Sequence, residues 1–158
     1  MADGLAITMT EELAQIVDRT LDAHGVRNKR IAIGLSGGMD SVVLLDVLHE
    51  LQLPRQLQLS AIHVNHQISP QSGAWEDFCR ALCARRGIEL SVERVQVRPD
   101  GSGMEAAARR LRYRAYAAAD ADFVALAHHI DDQAETFLLQ LLRGAGPKGL
   151  AGKPGLRP

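Results

Sequence analysis

Four short apolar runs separated by stretches of helical period limit this chain to few folds. They are RIAIGL at 30–35, LQLSAIHVNH at 57–66, IELSVERVQV at 88–97 and DFVALAHH at 122–129. The first is too brief for a helix, and the third alternates like a strand and stops at Pro99. Between them lie helical patterns. Leu13, Ile16, Val17 and Leu21 recur at helical spacing from Thr10 to about His24, with Gly25 as the stop. Residues 40–51 are apolar on nearly every side, as expected of a helix packed on a sheet. Trp75, Phe78, Cys79 and Leu82 form one stripe that ends at Gly87. Ser102 with Glu105 three residues on reads as a capping box, opening an Ala-rich helix to about Ala119, and a last helix is expected from about Asp131 to Leu142. Strands alternating with helices call for an α/β fold: a three-layer, Rossmann-like parallel sheet with helices on both faces.

The size fits one soluble domain, since 158 residues bury a real core. No apolar run reaches the roughly 20 residues needed to span a bilayer, and MADGLAITMTEEL lacks the basic and apolar regions of a signal peptide. The expectation is a cytoplasmic protein with no membrane partner. Cys79 and Cys83 are the only cysteines, too few for a zinc or iron–sulfur site, and read as buried free thiols. With 18 basic against 19 acidic residues there is no global basic footprint, so nucleic-acid contact is local or made by something outside this chain.

In parallel sheets, ligands sit beyond the carboxyl ends of the strands, near the point where strand order reverses. The unusual polar residues fall at those ends: Ser36 to Ser41, His63 to His66, and His128 to Asp132. In SGGMDS, Gly37 and Gly38 let the backbone turn and approach a ligand, and the following helix start favours negative charge. This string is not G-x-x-x-x-G-K-[ST], because Asp40-Ser41 stands where that motif has its lysine. A carboxylate beside phosphates needs a cation between them, which makes Asp40 a candidate Mg²⁺ ligand.

SGGMDS resembles the S-G-G-x-D-S signature of the PP-loop ATP pyrophosphatases, of adenine nucleotide alpha hydrolase-like fold. HVNHQISP, EAAARRLRY and AHHIDDQAETFLLQLLRGAGPKGLAG resemble, in order, three segments of the tRNA(Ile)-lysidine synthetases among them. Gln67, Ser69 and Ala127 depart from the pattern, where the family often has Gly, Arg and Gly. The resemblance implies that residues 1–158 are an N-terminal catalytic domain, incomplete at its C-terminus, with residues 144–158 as a flexible loop. It also implies ATP and Mg²⁺ as cofactors, tRNA(Ile) with cytidine at the wobble position and free L-lysine as partners, and it leaves a homodimer open. The implied reaction adenylates C2–O of the cytidine, releases pyrophosphate, and lets the lysine amine attack C2 and expel AMP.

The resemblance assigns ATP binding to Ser36, Gly37, Gly38, Met39, Asp40, Ser41 and His63, with His66 beside the adenine pocket. Arg109 and Arg112 match positions expected to hold phosphates or the charge of the adenylated intermediate, although Glu105, Arg109 and Arg112 at i, i+4, i+7 also describe a solvated salt-bridged face. His129, Asp131 and Asp132 are expected to bind lysine or Mg²⁺ or to deprotonate the amine, and the sequence does not divide those tasks. Acids at a helix start are stabilising by themselves, so Asp131, Asp132 and Glu135 have a structural reading too. Two rivals stand beside this one. A 2-thiocytidine-type PP-loop enzyme would carry C-x-x-C, whereas the spacing here is Cys79-x-x-x-Cys83. A non-catalytic nucleotide-binding module would lack HHIDDQAET.

Overall fold

The structure of the chain, a computed structural model, describes residues 2–131 and 134–143, with side chains described over 10–127. Helix α1 (Ala2–Ala23) leads into β1 (Arg30–Gly34), α2 (Met39–Arg55), β2 (Gln58–Asn65), α3 (Ser72–Arg86), β3 (Glu89–Arg94), α4 (Met104–Ala117), β4 (Phe123–Asp131) and β5 (Ala134–Arg143). The sheet order is β3-β2-β1-β4-β5. β1 to β4 are mutually parallel and β5 is antiparallel to β4. Strand order reverses between β1 and β4, so the loop after β1 opens at the switch point.

Side chains alternate across the strands and fill two cores. Ile31, Ile33 and Ala61 face α1, α2 and α3 together with Val17, Leu44, Leu48, Cys79 and Leu82. Ala32, Ile62, Val64, Val124 and Leu126 face α4 through Tyr116. This is the expected three-layer arrangement. α4 comes unusually close, because a Cβ on Gly34 would lie 2.5 Å from Leu126 Cδ2 and 3.0 Å from Tyr116 Oη.

Three helices end the same way. Gly25, Gln56 and Gly87 take positive φ (63°, 56° and 63°), and the next residue's N–H reaches back: Val26 to Leu21 O, Leu57 to Gln52 O, Ile88 to Cys83 O, at 2.8–3.0 Å. Each of those next residues is buried, which is the apolar contact that locks such a terminus. At the α2 end, Arg55 is also buried and bonds Asp18 and Asp22 of α1 and the carbonyl of Val26.

Three local expectations are corrected. The segment expected as a helix from about Asp131 to Leu142 forms β5, with Phe123 opposite Arg143 and a register irregularity between His129 and Asp131. A continuous apolar run such as FLLQLL suits either state, and pairing along the open edge of β4 decides it. The stripe on α3 is rotated: Cys79, Leu82 and Cys83 are buried, while Trp75 and Phe78 are 47% and 43% exposed. The capping box does not form, for Gly103 is the N-cap without a side-chain bond and Ser102 bonds Asp100, which pairs with Arg110. The tail at 144–158 lies outside the described residues.

Candidate active site

The loop after β1 is held from within. Gly37 has φ +89°, a conformation other residues avoid, and a Cβ there would meet Cys79 Sγ at 3.5 Å. Ser36 Oγ accepts from the Gly38 N–H (3.2 Å) and donates to Ser41 Oγ (3.1 Å), which donates to Gly38 O (2.8 Å) and accepts from the Ser36 N–H (3.2 Å). Both hydroxyls are therefore turned into the loop, and Ser41 is buried. Gly38 caps α2 with no side-chain bond, leaving the helix's first turn and its positive dipole end open to an anion. Met39, 81% exposed, and Asp40 begin that turn. Among the described residues, no group of three or more His, Cys, Asp or Glu could hold a metal by itself. A cation at Asp40 would have to complete its shell with substrate oxygens and water, as Mg²⁺ commonly does.

Beside the loop, a cleft of about 250 Å³ lies at the carboxyl ends of β1 and β2, lined among others by Leu35, Ser36, His63, His66, Trp75 and Arg112. His63 comes from the α3 side of the sheet and Arg112 from α4 on the other. Both ring nitrogens of His66 and Nε of Arg112 are buried without a hydrogen-bond partner. Burial is the main cause that lowers the pKa of His66, with the Arg112 and His63 charges adding to it. Buried polar atoms in this state point to a polar ligand or water. Arg109 stands apart: it is exposed, with its guanidinium 5.2 Å from the centre of the Tyr113 ring. The backbone of His129 and Asp131 runs along β4, which continues past the last residue of β1. Their side chains, and the whole of Asp132, lie outside the described residues.

One anchor of the site escaped the sequence reading. Glu76 is buried on α3, accepting from Asn65 Nδ2 at 2.9 Å and from the guanidinium groups of Arg94 and Arg80 at 2.6–3.2 Å. Arg94, then Asn65 and Arg80, hold its carboxyl down at about 2. Asn65 Oδ1 in turn accepts from the Gln67 N–H, at 2.9 Å, where φ is +55°. Glu76 thus fixes the turn that carries His66. A charged residue eleven and eighteen positions from its partners leaves no local pattern to detect.

A phosphate-sized nest at the switch point of a parallel sheet, joined to a cleft that takes side chains from both faces, defines a nucleotide-binding α/β domain. The profile of the PP-loop domain family matches residues 6–157, and the chain belongs to that family. It is 45% identical to the tRNA(Ile)-lysidine synthase of Nitrosomonas europaea, over 99% of this chain and 34% of that protein. To the tRNA(Ile)-lysidine synthase of Chromobacterium violaceum it is 51% identical, over 79% of this chain and 29% of the other. The chain thus spans about a third of the length of these relatives. Among solved structures, it is similar to a U34-tRNA thiolase from Methanococcus maripaludis, solved with its iron–sulfur cluster. The TM-score is 0.62 and the identity 28%, covering 77% of this chain and 46% of that one. The cysteines here differ from cluster ligands: both are buried, and burial pushes Cys79 up to about 11 and raises Cys83.

Proposed function

We propose that this chain is the ATP-binding catalytic domain of a cytoplasmic enzyme that joins free L-lysine to C2 of the wobble cytidine of tRNA(Ile). The observation that carries the reading is the SGGMDS loop, built around Gly37 at the switch point and opening onto a cleft with unpartnered His66 and Arg112 atoms. The lysidine synthases among the relatives supply the substrate side of the proposal.

In the reaction, the C2 oxygen of cytosine bonds to the α-phosphorus of ATP and the bond to pyrophosphate breaks. The lysine amine then bonds to C2, its proton is lost, and AMP leaves with the oxygen. The loop and the open first turn of α2 bind and orient the phosphates, whose charge would otherwise repel an attacking oxygen. Asp40 would hold Mg²⁺, which supplies charge neutralisation when bound. Arg112 suits the α-phosphate and the developing charge on the cleft side. His129, Asp131 and Asp132 remain the candidates for receiving lysine and its amine proton. Arg109 is a weaker candidate than Arg112, since its guanidinium is exposed on Tyr113.

Calorimetry of ATP with and without Mg²⁺ tests this. Gly38→Val is expected to weaken ATP binding, and Asp40→Ala to reduce its Mg²⁺ dependence. Unchanged binding in both variants would remove the assignment.

A further inference from the structure

One hydrogen bond in the cleft has a consequence for which base it admits; this rests on the ATP reading above. His63 is 4% exposed, and its Nδ1 lies 2.8 Å from the carbonyl oxygen of Leu35 and 3.6 Å from Cys79 Sγ. A carbonyl oxygen only accepts, so Nδ1 carries the proton of the neutral ring, and the sulfur there is an acceptor or an apolar neighbour. The ring's other nitrogen, Nε2, is then a lone pair without a donor among the described residues. Leu35 cannot turn to release this tautomer, because its own N–H donates to Ile62 O at 2.9 Å. Leu35 and Ser36 belong to the cleft wall and lead directly into the phosphate loop, so a nucleotide seated on the loop extends its base toward His63.

We propose that Nε2 of His63 selects the base of the nucleotide, accepting a hydrogen bond from the exocyclic amine of adenine and rejecting 6-oxopurines. In hypoxanthine or guanine, a carbonyl replaces that amine. Two lone pairs then face each other in a site walled by Val64, Ile68 and Tyr116, and the buried acceptor is left unmatched. Cytosine also bears an amine, but its source would be RNA, which has no triphosphate to anchor it on the loop.

The chain has one tryptophan, Trp75, which lines the cleft and is 47% exposed, so its fluorescence reports binding. The full 158-residue chain is titrated at pH 8 with Mg²⁺ and ATP, ITP or GTP. ATP is expected to bind at least about tenfold more tightly than ITP or GTP, as one matched against one opposed hydrogen bond requires. In His63→Gln, whose amide can present either its oxygen or its nitrogen, the ATP/ITP ratio is expected to fall to about threefold or less. Equal affinities for ATP and ITP in the unaltered chain overturn the inference while leaving the ATP reading intact, and no binding of any nucleotide overturns both. A variant that weakens ATP and ITP alike, with the ratio preserved, assigns His63 a structural role and also overturns it. So does displacement of ATP by CMP as effective as by AMP. If His63→Gln fails to fold, the ratio in the unaltered chain decides.

Discussion

Replacing Glu76 by Gln removes a buried carboxylate but keeps an oxygen and a similar shape. The cost follows from the charge. Its two arginines and Asn65 hold the carboxyl at about 2 against an ordinary 4.5, a drop worth about 3 kcal/mol at 1.36 kcal/mol per pH unit. The side chains of Arg80 and Arg94 are 50% and 63% exposed, so water screens part of this, and Glu76→Gln is expected to cost about 2 kcal/mol at neutral pH. Because the folded-state value is the depressed one, the stabilisation is fully present above about pH 4.5 and is lost as pH falls toward 2. Urea unfolding of the two proteins at pH 7 and pH 3 measures it. The gap between them should shrink by more than half at pH 3. A gap that is the same at both pH values, or below about 0.5 kcal/mol at pH 7, would show that Glu76 is held by packing and that its ion pairs contribute nothing.

Gly34→Ala should destabilise by about 1–3 kcal/mol, since the added methyl meets Leu126 and Tyr116 and α4 must shift; a thermal melt within about 0.5 kcal/mol of the parent would contradict that close approach. Gly37→Ala and Gly38→Ala should separate: the first costs about 1–2 kcal/mol for its positive φ, whereas Gly38, at φ −74° with only Ser36 Oγ at 3.4 Å, accepts a methyl with little change in melting. With 18 basic and 19 acidic residues, these 158 residues alone should hold tRNA weakly and with a shallow salt dependence, each phosphate contact adding about 0.7–0.9 to the slope. Nanomolar filter binding at physiological salt would contradict this.

Most of the sheet was legible because its signals are local. Apolar runs at 30–35, 57–66, 88–97 and 122–129 became β1 to β4, and SGGMDS marked the turn with its glycine of positive φ. What escaped depends on neighbours remote in sequence. AETFLLQLLR satisfies helix and strand patterns alike, and its state was set by the free edge of β4. Trp75 looked like core by its spacing with Cys79, yet only the sheet position fixes which way α3 is turned. Gly34 gave no sign that α4 would press against it. Arg109 and Arg112 are three apart on one helix, and the sequence could not say that Arg112 turns into the cleft while Arg109 lies on Tyr113.

The peptide unit of Leu35 ties the two halves of the cleft into a single rigid bracket, with its N–H on Ile62 and its carbonyl on the His63 ring, one residue before the phosphate loop begins. A ligand that engages both ends therefore meets them at a fixed span. Adenosine and pyrophosphate offered as separate fragments should each bind feebly, because each spends its own loss of translational and rotational freedom. Joined through the ribose and α-phosphate, the second contact becomes intramolecular, and the effective concentration of one end at the other is set by how little that bracket yields.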